Sequence, residues 1–154
     1  MVLKPVEKTR REVLAMAAIA GLATILAPRL SFADEQAVAA EIKKLYGDKK
    51  FDSGKIKLDV PEIAENGLVV PVNVDIESPM TDADYVKSVH VFAEGNPMPG
   101  VVSYKFTPAC GKASASTRMR LAETQNIVCI AEMSNGKLYM AKANVKVTIG
   151  GCGG

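Results

Sequence analysis

The sequence predicts a mostly-β protein, an antiparallel sandwich of about seven strands led in by one short helix and followed by a glycine-rich C-terminal arm. From residue 55 onward, apolar residues recur at every second position in short runs, the period of a half-buried strand. Turn chemistry separates these runs: Asn66-Gly67, Ser78-Pro79, Gly95-Asn96-Pro97 and Ser134-Asn135-Gly136. Short alternating strands with such stops form the pattern of an immunoglobulin-like sandwich. The absence of Trp excludes the Cys…Trp…Cys signature of antibody domains.

The elements follow in order. Residues 1–33 read as an export signal. Lys4, Lys8, Arg10 and Arg11 precede an apolar run from Val13 to Ala27, and Ser31-Phe32-Ala33 offers a small-x-small cleavage site with Asp34 as first mature residue. At about 15 residues the run is short of the roughly 20 that span a bilayer. A retained anchor is the alternative. Thr9-Arg10-Arg11-Glu12-Val13-Leu14 resembles the twin-arginine export motif, with Val13 where the motif favours Phe and Ala15 where Lys is common. That route carries folded proteins. No lipid-attachment cysteine follows the run, so the mature chain is expected to be soluble in the periplasm.

Residues 35–46 predict an amphipathic helix. Val38, Ile42, Leu45 and Tyr46 recur at helical spacing, Asp34 can cap the start and Gly47 can end it. Strands are expected where Ile56, Leu58 and Val60 alternate with Lys57 and Asp59, and where Leu68, Val70, Val72, Val74 and Ile76 alternate. Others are expected around residues 86–93, 101–106, 115–121, 126–133 and 137–149. Ser134-Asn135-Gly136 between the last two marks a hairpin. Val145, Val147 and Ile149 should face the core, anchoring the sandwich domain (34–149) up to Ile149 and leaving the arm, residues 150–154, free beyond it.

The arm reads Gly150-Gly151-Cys152-Gly153-Gly154. Glycine cannot pack and loses the most freedom on ordering, so this segment is expected to stay mobile unless gripped. Cysteine is retained more often for reactivity than for packing. A thiol among four glycines therefore reads as a group presented to other molecules. From Ile149, three extended residues reach about 10 Å.

Composition removes other functions. The chain has 19 Lys/Arg and 17 Asp/Glu; residues 1–33 hold five and two of these, which leaves 14 against 15 and a nearly neutral mature chain. No basic patch with interleaved aromatics supports nucleic-acid binding. His90, the single histidine, lies on the opposite strand face from Val89 and Val91 and reads as an ordinary strand residue. No C-x-x-C, phosphate loop or catalytic set is present. The methionines read as core filler. Three cysteines in an oxidising compartment leave one unpaired. Cys110 and Cys129 either form a disulfide, closing a loop of about 20 residues worth roughly 3 kcal/mol, or remain separate thiols. In both cases Cys152 is the odd one.

Glycine neighbours give Cys152 no activating charge, and an ordinary thiol with pKa near 8.5 is only a few per cent ionised at neutral pH. It is better suited to entering another protein's active site than to catalysis. An exported chain of this organisation with a terminal Gly-Gly-Cys-Gly-Gly resembles the SoxY family of sulfur carriers in the Sox thiosulfate-oxidation system. The pentapeptide at 150–154 matches without departure, and Val145–Ile149 and the region 115–125 are also similar.

The resemblance implies a carrier rather than an enzyme, with no cofactor of its own. Cys152 would hold the substrate as a cysteine S-thiosulfonate, with Gly150, Gly151, Gly153 and Gly154 supplying reach and a thin cross-section. Implied partners are a SoxZ-like subunit in a heterodimer, a c-type haem enzyme that couples thiosulfate to the thiol, a sulfate-releasing hydrolase and a sulfane-oxidising enzyme. Neither nucleic acid nor, after processing, membrane is implied. Two other readings are an exported structural module that forms an intermolecular disulfide through Cys152, and a ubiquitin-like carrier using its terminal carboxylate. Export and the strand pattern oppose the second.

Overall fold

Alternating burial along the chain builds two facing sheets in the computed structural model, which describes residues 35–151. The simplest case is β3 (Val70–Ile76), where Val70, Val72, Val74 and Ile76 are buried while Pro71 and Asn73 face solvent. Two strands flank it antiparallel, β1 (Ile56–Asp59) with Ile56 opposite Ile76 and β6 (Ala113–Met119) with Met119 opposite Val70. These three form the smaller sheet, in the order β1-β3-β6.

The larger sheet has the order β2-β8-β7-β4-β5, from β2 (Ile63–Asn66), β4 (Val86–Ala93), β5 (Gly100–Lys105), β7 (Gln125–Met133) and β8 (Leu138–Ile149). Its central strands are covered on both faces. Val89, Val91, Ala93, Ile127, Cys129, Ala131 and Met133 meet the small sheet in the main core. On the other side Phe92, Val128, Ile130 and Leu138 pack beneath helix α1 (Glu35–Tyr46), which contributes Val38 and Tyr46. Each fully buried side chain of this size stabilises the fold by about 1.5–3 kcal/mol relative to exposure.

Helix α1 occupies the expected residues. Gly47 ends it at φ +68°, its N–H donating to the Lys43 carbonyl (2.8 Å), a left-handed stop that glycine adopts without strain. Leu45 departs from the expected apolar face and is exposed. The β7–β8 hairpin turns where expected: Gly136 takes φ +80° and the Asn135 side chain accepts from the Lys137 N–H (3.0 Å).

The sandwich has eight strands, one more than the alternation predicts. The extra one, β2, runs parallel to β8, with Ile63 opposite Lys146 and Asn66 opposite Ile149. Only Ala64 among its four residues is buried, so it leaves no period-two pattern to read. The chain thus leaves the small sheet after β1, pairs with β8, and returns through Gly67-Leu68-Val69 to β3. This excursion brings the 66–69 turn beside the end of β8.

His90 lies on the helix-facing side of β4, its Nδ1 hydrogen-bonded to the Tyr46 hydroxyl (2.8 Å). Burial lowers its pKa below the usual 6.5; Glu132 and Glu41 oppose the shift and Lys105 adds to it. Burial also pushes Tyr46 up to about 12. Below about pH 6.5 the unfolded chain therefore binds a proton at His90 that the folded chain resists, and stability falls as pH drops through that range. Thermal melts between about pH 7.5 and 5 should show a falling midpoint, and a His90→Gln variant should flatten the slope.

Candidate functional site

Three backbone hydrogen bonds tie the base of the arm to the body. The Gly67 N–H donates to the Ile149 carbonyl (2.7 Å), the Leu121 N–H to the Gly67 carbonyl (2.8 Å), and the Gly151 N–H to the Leu121 carbonyl (2.8 Å). The chain is thus anchored through Gly151, two residues beyond the expected exit point. Val145 is fully buried and Val147 packs at the core margin, but Ile149 is exposed, against expectation. It is the last residue of β8, opposite Asn66 of β2. Leu68 and Val69, in the turn that follows β2, are exposed as well.

The glycines here are required by space. Gly67, Gly150 and Gly151 are absent from the left-handed region that four other glycines occupy. A Cβ on Gly67 would fall onto the Leu121 carbonyl and crowd the Gly151 nitrogen at 2.8 Å; one on Gly150 would fall onto the Ala122 carbonyl; one on Gly151 would strike the Gly67 carbonyl. The arm's two leading glycines lie main chain against main chain in a slot formed by residues 67–68 and 121–122.

The slot's far wall is held from behind. Asn96, almost fully buried, donates from Nδ2 to the Arg120 carbonyl (2.8 Å) and accepts at Oδ1 from the Ala122 N–H and from Gln125 Nε2 (both 3.0 Å). Gln125 Oε1 in turn accepts from the Gly95 N–H (2.7 Å). Thr124 Oγ1 takes the Val147 N–H (2.9 Å), and the Leu121 side chain is fully buried in the core. These groups are internally satisfied, as buried polar groups must be. Gly95-Asn96-Pro97 signals only a turn in the sequence; nothing there shows that the Asn96 side chain spans to residues 120 and 122.

Cys152, Gly153 and Gly154, like the whole of residues 1–34 with the signal and the Asp34 cap, lie outside the described residues. Among the described residues, no group of three or more His, Cys, Asp or Glu side chains could hold a metal, and no helix is long and apolar enough to cross a membrane. An open groove of about 430 Å³ lies between α1 and the β4–β5 edge, lined by Glu41, Leu45, His90, Phe92 and Val102 among others, and includes no residue of the arm.

The other two cysteines are free thiols. The structure holds no Cys110–Cys129 disulfide, and the two side chains occupy different environments. Cys129 sits mid-β7 with its side chain in the core, whereas Cys110 closes an exposed 3-10 turn (Pro108–Cys110). Burial pushes the Cys129 thiol up to about 12. Hydrogen bonds from Thr107 lower the pKa of Cys110, favouring its thiolate. Timed alkylation of the native protein, mapped by peptide mass, should modify Cys110 readily and Cys129 only after denaturation.

A two-sheet sandwich whose sequence continues from the glycine slot directly into Cys152 falls, by comparison with known proteins, in a class of carrier proteins. The family model described as sulfur oxidation protein SoxY matches residues 42–152, a stretch ending on Cys152. Among solved structures, the sulfur carrier protein SoxY from Chlorobium limicola f thiosulfatophilum is 34% identical, with 75% of this chain and 100% of that chain covered and a TM-score of 0.63. The chain belongs to the SoxY family, the sulfur carriers of the Sox system.

A superoxide reductase (neelaredoxin) from Ignicoccus hospitalis is 18% identical, covering 61% of this chain and 80% of that one at TM-score 0.55. A putative superoxide reductase from Thermotoga maritima is 16% identical, covering 63% and 93% at TM-score 0.53. At such identity the likeness is one of fold. Comparison with the curated proteins gives no match.

Proposed function

We propose that Cys152 is the covalent attachment point for sulfur substrates and that this chain presents them on its C-terminal arm to partner enzymes. The supporting observation is the placement of the cysteine: it directly follows Gly151, whose N–H is fixed to the Leu121 carbonyl, so the thiol is delivered from a defined point on a rigid sandwich. The family match extends to the same residue.

Loading joins the Cys152 sulfur to the sulfane sulfur of thiosulfate. The new S–S bond gives a cysteine S-thiosulfonate, the thiol proton passes to water, and two electrons leave to the c-type haem partner. Hydrolysis then cleaves the bond between the sulfane and sulfonate sulfurs. Water supplies the fourth oxygen of sulfate and a proton to the sulfane sulfur, its other proton is released, and a cysteine persulfide (Cys–S–SH) remains for the sulfane-oxidising partner. The chain acts in the periplasm, exported by the twin-arginine-type signal at 1–33 and paired with a SoxZ-like subunit that leaves the cell with it.

Intact-mass analysis after incubation of the heterodimer with thiosulfate and the oxidising haem enzyme tests the reading. A single adduct on the peptide containing Cys152 is expected. An unmodified Cys152 peptide under conditions that reduce the haem would refute it.

A further inference from the structure

We propose that Gly67, Gly150 and Gly151 form a seat for the arm, and that Gly67 is the positioning residue that keeps it. In the proposed carrier, on which the functional half of this inference rests, the arm is then held through Gly151 instead of only as far as Ile149.

The geometry supports this in three ways. The hydrogen bonds form a relay that begins at Ile149, passes through Gly67 and Leu121, and returns to the arm at Gly151. Gly67 serves it twice, donating to Ile149 and accepting from Leu121. A Cβ at any of the three glycines would fall onto backbone, which cannot rotate aside as a side-chain tip can. None of the three takes a left-handed φ, so chain reversal does not explain them; close approach does. The opposite wall is immobilised by the buried Asn96 and Gln125 side chains.

The consequence is a large reduction in the space the thiol explores. With the seat formed, the Cα of Cys152 lies one peptide unit, about 3.8 Å, from a fixed Gly151; with the seat open it swings on about 10 Å of chain from Ile149. The accessible volume scales as the cube, roughly a twentyfold difference. A seated arm starts its thiol from one fixed point. An unseated arm gains reach and loses that fixed origin.

Backbone 15N relaxation on the intact heterodimer tests the seat without any partner enzyme. In the wild-type chain the Gly150 and Gly151 amides should have order parameters near about 0.85, the value of ordered backbone. In Gly67→Ala both should fall below about 0.6. Wild-type values already below about 0.6 would overturn the proposal. Because Gly67→Ala could also disturb the β2–β3 turn, Gly151→Ala serves as the second variant. It leaves every strand untouched and should mobilise Gly150 alike; a rigid Gly150 in that variant would count against the seat.

The functional readout is the rate of thiosulfate loading against carrier concentration. Gly67→Ala should raise the half-saturating concentration between about three- and twentyfold, with the change in that parameter and not in the saturating rate. A half-saturating concentration equal to wild type would overturn the positioning role. If wild-type Cys152 does not load at all, the carrier reading fails, and the order parameters still decide the seat.

Discussion

A Cys152→Ser chain, carried through the loading reaction with its partner subunit, thiosulfate and the oxidising haem enzyme, gains no mass. The substitution exchanges one atom, sulfur for oxygen. A serine hydroxyl cannot form the S–S bond on which the adduct depends, so the expected effect is complete loss. The two other thiols make the test demanding. Cys110 is exposed with a lowered pKa, which makes it the natural competitor for non-specific sulfur addition. Cys129 is sealed in the core. A Cys110→Ser chain should therefore load as the wild type does, and the double variant should behave as Cys152→Ser. An adduct that survives in Cys152→Ser and disappears in Cys110→Ser would move the attachment point to the 3-10 turn and sink the assignment to the arm.

Legibility in the sequence depended on whether a feature leaves a periodic trace. β3 announces itself because one face is buried and the other wet, and α1 ends where Gly47 can turn left-handed. β2 could not be read: a four-residue edge strand with one buried side chain has no period. Its parallel pairing with β8 is invisible to a pattern that looks for local hairpins. Cysteine counting invited a disulfide, yet Ile127, Val128, Cys129 and Ile130 form one apolar run in which Cys129 packs as a small hydrophobe.

The arm shows the same limit more sharply. Gly-Gly-Cys-Gly-Gly made the family legible, and the comparisons show that family. The roles of Gly150 and Gly151 were not legible. Glycine is written identically where the chain must be mobile, where it must turn, and where two backbones must touch. Only the position of the Leu121 and Ala122 carbonyls separates the third case from the first. Gly67 is hidden for the same reason, since Asn66-Gly67 already reads as a turn.

Leu121→Ala should cost about 3 kcal/mol of stability, within the 2–5 kcal/mol range of buried leucine truncations, and lower the thermal midpoint by roughly 10–15 °C for a domain of this size. Leu121 joins both halves of the molecule. Its side chain is fully buried in the main core, while its N–H and carbonyl are the two links through which Gly67 and Gly151 are held. Truncation removes core contacts and leaves the main-chain links intact, so the midpoint should fall while Gly151 stays ordered in the surviving folded population. Gly67→Ala should do the converse, freeing the arm at smaller cost to the sandwich. Ile149→Ala, at an exposed position, should shift stability by no more than about 0.5 kcal/mol. Calorimetry and amide order parameters on the three variants separate core from seat. A Leu121→Ala chain that loses less than about 1 kcal/mol would mean that the core collapses into the vacated space, and the loop bearing the two carbonyls would then move with it.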